Sequence, residues 1–152
     1  MPIEDRMKNA LPQLVNNCML VGDKRKFLAI LVTLKTEINL DTLEPTNRLL
    51  PGAVEYLQSN GVLEVRTVEE LLHSEGARAR LDALLTGALE KVNAQAVSRA
   101  QEVHKHLILQ QDFSIPNGEL GPTLKLRRTV VEKKYKHLID QLYLDANANG
   151  IA

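Results

Sequence analysis

Lys125 stands in the segment Gly118-Glu119-Leu120-Gly121-Pro122-Thr123-Leu124-Lys125. Glycines and prolines at this density interrupt helix and strand and mark an exposed loop. Gly118, Gly121 and Pro122 allow such a loop to present a flexible lysine stem. By composition alone Lys125 is one solvated lysine among many. A second basic cluster, Lys24-Arg25-Lys26, follows Gly22-Asp23. Arginine grips phosphate through two parallel hydrogen bonds and lysine acts as a point charge. The same residues also serve as a solvated turn that keeps a sheet end soluble. Cys18 lies inside an apolar run and reads as a buried, inert thiol. His104 and His106 alternate along an extended segment, but without a cysteine or acidic neighbour they make a poor metal site, and none is assigned.

These residues need elements to hold them. Pro2 to Ala10 fits a short helix with Glu4 and Asp5 in its first turn, ended by Pro12. Val15 to Val21 and Phe27 to Leu34 are strand-sized apolar runs, and the short polar loop between them predicts an antiparallel hairpin. FLAILVTL is almost continuously apolar, as in a central strand covered on both faces. Residues 36–76 read as an insertion with two short helices, about Ala53 to Ser59 and Val68 to Ser74. Thr67-Val68-Glu69-Glu70 is a capping box for the second. Ala77 to about Ala94 is the clearest helix, with Leu81, Leu84, Leu85, Ala88, Leu89 and Val92 on one stripe. His104 to Phe113 reads as a strand rejoining the hairpin, and 117–128 as the loop. Thr129 to Tyr143 reads as one closing helix with Val131, Tyr135, Leu138 and Leu142 on a face. Residues 145–152 read as a frayed tail.

The expected fold is α+β: a small antiparallel sheet of about three strands flanked by helices, with a helical insertion and a C-terminal helix, in one domain over 1–152. The 152 residues suit a single domain. Its core must be aliphatic, because aromatic residues are 3% and tryptophan is absent. Nineteen basic residues balance nineteen acidic ones, so no global field draws the chain to nucleic acid or to an anionic membrane. One cysteine excludes an internal disulfide and fits a reducing compartment. No apolar run spans a bilayer, and the polar N-terminus lacks a signal core, so the expected location is cytoplasmic.

Gly118-Glu119-Leu120-Gly121-Pro122-Thr123-Leu124-Lys125-Leu126-Arg127-Arg128, with Val130-Val131-Glu132-Lys133-Lys134-Tyr135 after it, resembles the last motif of the adenylate-forming enzymes in its long-chain fatty acyl-CoA synthetase form. Gly121, where many relatives have threonine, is similar to the bubblegum branch. Pro2-Ile3-Glu4-Asp5 and the stretch Asn17 to Leu28 resemble the start and first hairpin of that family's C-terminal domain. The phosphate loop, the aromatic-Gly-x-Thr-Glu segment, the ribose-binding strand and the hinge motif of the family do not occur here. The resemblance therefore implies a C-terminal lid domain that begins near the domain boundary and is inactive alone.

By the same resemblance, Lys125 is the adenylation lysine. Gly118, Glu119, Gly121, Pro122 and Thr123 form the loop that supports it, and Lys24, Arg25 and Lys26 are candidate contacts for CoA phosphates. A fatty-acid carboxylate attacking ATP builds charge on bridging oxygens, which a mobile ammonium can neutralise. Glu119 either orients the loop or pairs with Arg127. The implied partners are a large N-terminal adenylate-forming domain and, as substrates of the whole enzyme, fatty acid, ATP and CoA. ATP, Mg2+ and CoA belong to the parent enzyme and none is expected on this chain alone. Nucleic acid is not expected, and peripheral membrane contact is allowed. Two other readings stay open. One is a basic interaction module built on Lys125, Arg127, Arg128, Lys133, Lys134 and Lys136. The other is a regulatory short form that competes with an intact enzyme.

Overall fold

A seven-residue strand with six buried side chains is the centre of the molecule. In the computed structural model, which describes residues 1–148 (only the backbone within 146–148), this strand is β2, Leu28–Leu34. Helix α1, Ile3–Ala10, and strand β1, Val15–Val21, precede it. β1 pairs antiparallel with β2, from Val21 opposite Ala29 to Val15 opposite Leu34. Gly22 makes the turn possible: a Cβ there would lie 2.6 Å from Leu28 Cδ2 and 3.1 Å from its Cα. On the other side of β2 runs β5, Val103–Ile108, so the strand order is β1-β2-β5.

The α+β class and the three strands are as expected, but the sheet is mixed. β5 is parallel to β2, whereas an antiparallel partner was expected. The reason is the connection: parallel neighbours need a crossover, and here it contains helix α4, Glu75–Asn93. Nineteen helical residues reach about 28 Å, enough to carry the chain back along the sheet. Asn93 then fixes the entry to β5, because its side chain accepts from Val103 N at 2.8 Å and donates to Val103 O at 2.9 Å.

Residues 36–76 form the two expected helices, α2 at Pro51–Ser59 and α3 at Val68–His73, and also a hairpin that the sequence did not announce. Its strands are β3, Thr36–Ile38, and β4, Pro45–Leu49. A three-residue strand, and a partner that opens with proline and carries Asn47 and Arg48, give no alternating apolar signal. The capping box is present: Thr67 Oγ1 accepts from Glu70 N at 3.1 Å, and the Glu70 carboxylate accepts from Thr67 N at 3.0 Å. Leu49, Leu57, Val68 and Leu71 join the same apolar core as the sheet.

Side chains of β2 alternate between two cores. Ile30, Val32 and Leu34 meet α1, α4 and the 36–76 segment on one face. Ala29 and Leu31 meet Phe113, Leu120, Val131, Ile139 and Tyr143 on the other. The continuous apolar run is thus explained by two-sided burial.

The second face is covered by α5, Arg128–Lys134, and α6, Lys136–Ala148. One helix from Thr129 to Tyr143 was expected. It is broken at Tyr135, whose hydroxyl is held by Glu119 at 3.2 Å. The buried face runs through Val131, Tyr135, Ile139 and Tyr143 at steps of four, with Leu142 also packed against it. Ile139 and Tyr143 are 5% and 6% exposed, while Leu138 is 44% exposed. The tail expected to fray from Asp145 starts inside α6, and residues 149–152 lie outside the described residues.

The burial of Ile139 in place of Leu138 makes a prediction. Ile139→Ala should cost about 2–4 kcal/mol, and Leu138→Ala under about 0.5 kcal/mol, as for an exposed position. Denaturant midpoints of the two variants decide it, and equal losses would mean that Leu138 shares the buried face.

Candidate functional site

The lysine loop is a tight hairpin. Leu120 and Leu126 form an antiparallel bridge, and Arg127 N donates to Glu119 O at 2.8 Å. Leu124 N donates to Gly121 O at 2.8 Å, and Gly121 N donates to Lys125 O at 2.8 Å. A turn closed in this way needs a left-handed residue before the strand returns, a place that favours glycine. Leu124 occupies it with φ 66°. A left-handed leucine costs roughly 1–2 kcal/mol, so the loop holds local strain. Pro122, Thr123, Leu124 and Lys125 are all exposed. Gly118 takes φ 79° with nothing near its missing Cβ, so backbone conformation alone demands glycine there.

Two buried carboxylates anchor the hairpin. Glu119 is 1% exposed. It accepts from Ser114 N at 3.2 Å through one oxygen, and through the other from Lys134 Nζ at 3.1 Å and Tyr135 Oη at 3.2 Å. Burial, then the Glu119 charge and hydrogen bond, push the Tyr135 hydroxyl up to about 12. Glu119 thus orients the loop, and its ionic partner is Lys134; with Arg127 it shares only a backbone hydrogen bond. Asp112, 8% exposed, secures the segment's other end to the sheet. It accepts from Thr33 Oγ1 at 2.5 Å, Phe113 N at 2.8 Å and Asn17 Nδ2 at 2.9 Å, and also from Asn16 Nδ2. The sequence reading missed Asp112, since a lone aspartate after an apolar run carries no spacing signal.

A third tie reaches α1. Arg128 donates through both terminal nitrogens to the two oxygens of Glu4, each at 2.7 Å, and Glu4 also accepts from Leu20 N at 2.7 Å. Burial works against ionising Glu4, but the Arg128 and Leu20 hydrogen bonds and the charges of Arg128 and Lys8 outweigh it. Its carboxyl therefore lies below the ordinary 4.5.

The structure separates the members of the other basic cluster. Lys24 is exposed on left-handed backbone with φ 60°. Arg25 is drawn to α6, where it pairs with Asp140 and lies 4.8 Å from the Tyr143 ring centre. Hydrogen bonds from Arg25 and then Lys136 hold the Asp140 carboxyl at about 2. Lys26 is exposed beside Phe27 at the end of the turn. A cleft of about 380 Å³ joins this turn to the helices after the lysine loop, with Asp23 and Arg25 on one wall and Thr129, Lys133 and Lys136 on the other. His106 meets Asp82 at 3.0 Å, while the His104 ring lies 5.4 Å from that of Phe27, so the two histidines have different partners. Burial raises the Cys18 thiol to about 12, which leaves it inert.

No protein-family model matches the chain. It is 48% identical over 146 residues to long-chain-fatty-acid–CoA ligase ACSBG2 of Gallus gallus, covering 96% of this chain and 19% of that protein. It is 43% identical over 145 residues to ACSBG2 of Xenopus laevis (95% and 19%) and 42% identical over 142 residues to ACSBG1 of Homo sapiens (93% and 19%). The chain spans about a fifth of the length of the curated relatives it matches. Among solved structures, the adenylation domain of a carboxylate reductase from Mycobacterium chelonae superposes with TM-score 0.62 at 17% identity, covering 93% of this chain and 17% of that one. The A-PCP didomain of a carboxylic acid reductase from Segniliparus rugosus, in complex with AMP, gives 0.60 at 20% (96% and 16%). These two likenesses show the fold.

Two outcomes follow from the anchors. Glu119→Gln keeps the shape but removes the charge opposite Lys134, and should cost about 1–3 kcal/mol; an unchanged urea midpoint would show that the carboxylate is not holding the loop. Glu4, lowered in the folded state, stabilises fully above its unfolded value, and that contribution is lost as pH falls through the folded value. Stability should therefore drop below about pH 4.5, and Arg128→Gln should shrink the drop. Urea midpoints taken across that range for both proteins check this.

Proposed function

We propose, from the premise that this chain is homologous along nearly its whole length to the bubblegum-type long-chain-fatty-acid–CoA ligases, that it is the lid part of such an enzyme and that Lys125 is its adenylation lysine. The observation that carries this reading is the loop itself. A flexible ammonium is presented to solvent by a short turn whose base is locked by Glu119, Asp112 and the Glu4–Arg128 pair. On this reading the fitness of Lys125 is electrostatic. Held in a larger body's cleft and screened from water, one positive charge aimed at developing negative charge is worth far more than at a surface.

On this reading a fatty-acid carboxylate attacks ATP to give an acyl-adenylate and pyrophosphate, and CoA thiol then displaces AMP. ATP and fatty acid are held by the larger part, and the chain is inactive alone. Mg2+ does not fit the lysine loop, because the only carboxylate in it, Glu119, is committed to Lys134 and Tyr135. The cleft between the first turn and α5 is the proposed CoA phosphate side. Lys133 lines it, Lys24 stands exposed on the adjoining turn, and Arg25 must leave Asp140 to take part. The proposed setting is cytoplasmic. No helix among the described residues is long and apolar enough to cross a membrane.

A purely basic interaction module is the weaker reading. Of its six cations, Arg128, Lys134 and Lys136 are already paired with Glu4, Glu119 and Asp140.

The test joins the chain to the larger part of a bubblegum-type ligase and measures each half-reaction. Lys125→Ala should slow acyl-adenylate formation by about 10²–10³, the range seen when one electrostatic donor is removed. Thioester formation from supplied acyl-adenylate should change little. Equal loss in both steps would contradict the assignment.

A further inference from the structure

We propose that the β3–β4 hairpin is the second half of the lysine loop's docking face, and that both seat on the larger adenylate-forming part during adenylation. This rests on the reading of Lys125 above. A groove of about 530 Å³ runs beside the lysine turn, with Phe113 and Leu120 at its base. Around it stand Ile38, Leu43, Ile115 and Leu124, exposed by 56, 62, 46 and 66%. Large apolar side chains gathered on one exposed face mark an interaction surface, whereas scattered ones do not.

The backbone is arranged to present them. Leu43 has φ 62° and Leu124 has φ 66°. Each ends a polar turn: Leu43 N donates to Asn39 O at 2.7 Å, and Leu124 N donates to Gly121 O at 2.8 Å. Glycine suits both places better. Two turns far apart in sequence thus hold a strained leucine against the same groove. Strain of this kind persists where the surroundings fix it, and it clusters at functional sites.

The occupant follows from position and charge. Lys125 is the next residue after Leu124, so a body that receives the Lys125 ammonium also meets Leu124. The aligned part is about a fifth of each matched relative, and the other four-fifths supplies such a body. Glu37, Asp41 and Glu44 rim the hairpin, with Glu37 3.7 Å from Arg48. This acidic rim disfavours an anionic bilayer. It fits an apolar ridge flanked by lysine or arginine.

The experiment uses a full-length bubblegum-type ligase carrying this segment. Leu43→Asp should lower acyl-adenylate formation at least about tenfold, because a charge is placed in a buried contact. It should leave thioester formation from supplied acyl-adenylate within about twofold, and leave thermal unfolding unchanged. Amides of residues 38–45 and 115–124 should exchange more slowly in the full-length enzyme bound to a non-hydrolysable acyl-adenylate analogue than in this chain alone. Unaltered exchange together with unaltered adenylation overturns the proposal, and so does equal loss of both half-reactions. Lys125→Ala run in parallel separates the two ideas. If it leaves adenylation intact, the lysine reading fails, and the exchange data alone judge the groove. Salt-sensitive binding of this chain to phosphatidylcholine–phosphatidylserine vesicles, abolished by Leu43→Asp, would replace the protein partner with a membrane.

Discussion

A carboxylate with 1% of its surface in water has to be neutralised where it lies. Glu119 meets that requirement with one backbone amide from before the loop, and one ammonium and one phenol from the helix after it. The Ser114 amide fixes the start of the lysine loop. Lys134 and Tyr135 fix the helix after it, and Tyr135 is also where that helix breaks. The loop's path and the anchoring of the helix after it therefore share one electrostatic cause. Removing any partner leaves a buried charge short of a hydrogen bond. Strained and exposed parts of the loop can then exist because the base beneath them is over-determined.

The sheet divides the work. One face of β2 is closed by α1, α4 and the 36–76 segment, and this core includes Met7, Leu14, Leu57, Leu71, Leu81 and Leu85, each at 0% exposure. The other face is smaller and carries the aromatic residues Phe113 and Tyr143 together with the base of the lysine loop. Asp112 joins that base to the sheet, because it holds Thr33 in the central strand and opens the segment that leads to Lys125. The site is therefore mounted on the most deeply buried strand of the molecule by way of a polar hub, and not hung from a free loop.

Much of this was legible in the sequence, for physical reasons. The two apolar runs of the first hairpin, the leucine stripe of α4 and the Thr67 cap are local signals, and each appears within a few residues of its expected place. Glycines and prolines gave away the lysine loop. What was not legible depends on partners distant in the chain. β3 and β4 are too short and polar to announce themselves. The direction of β5 is set by the crossover and not by its own residues. The helix breaks at Tyr135, whose hydroxyl is held by a glutamate sixteen residues earlier. Arg25 looked like a free cation in a turn, and it is the fold that brings Asp140 to it. Asp112 had no spacing to mark it at all.

The fork between Glu4 and Arg128 has a mechanical consequence. Two hydrogen bonds of 2.7 Å join the first turn of α1 to the first turn of α5, three residues beyond Lys125. A load on α1 is therefore passed through this fork to the base of the lysine loop, so the opening helix and the exit of the loop move as one piece.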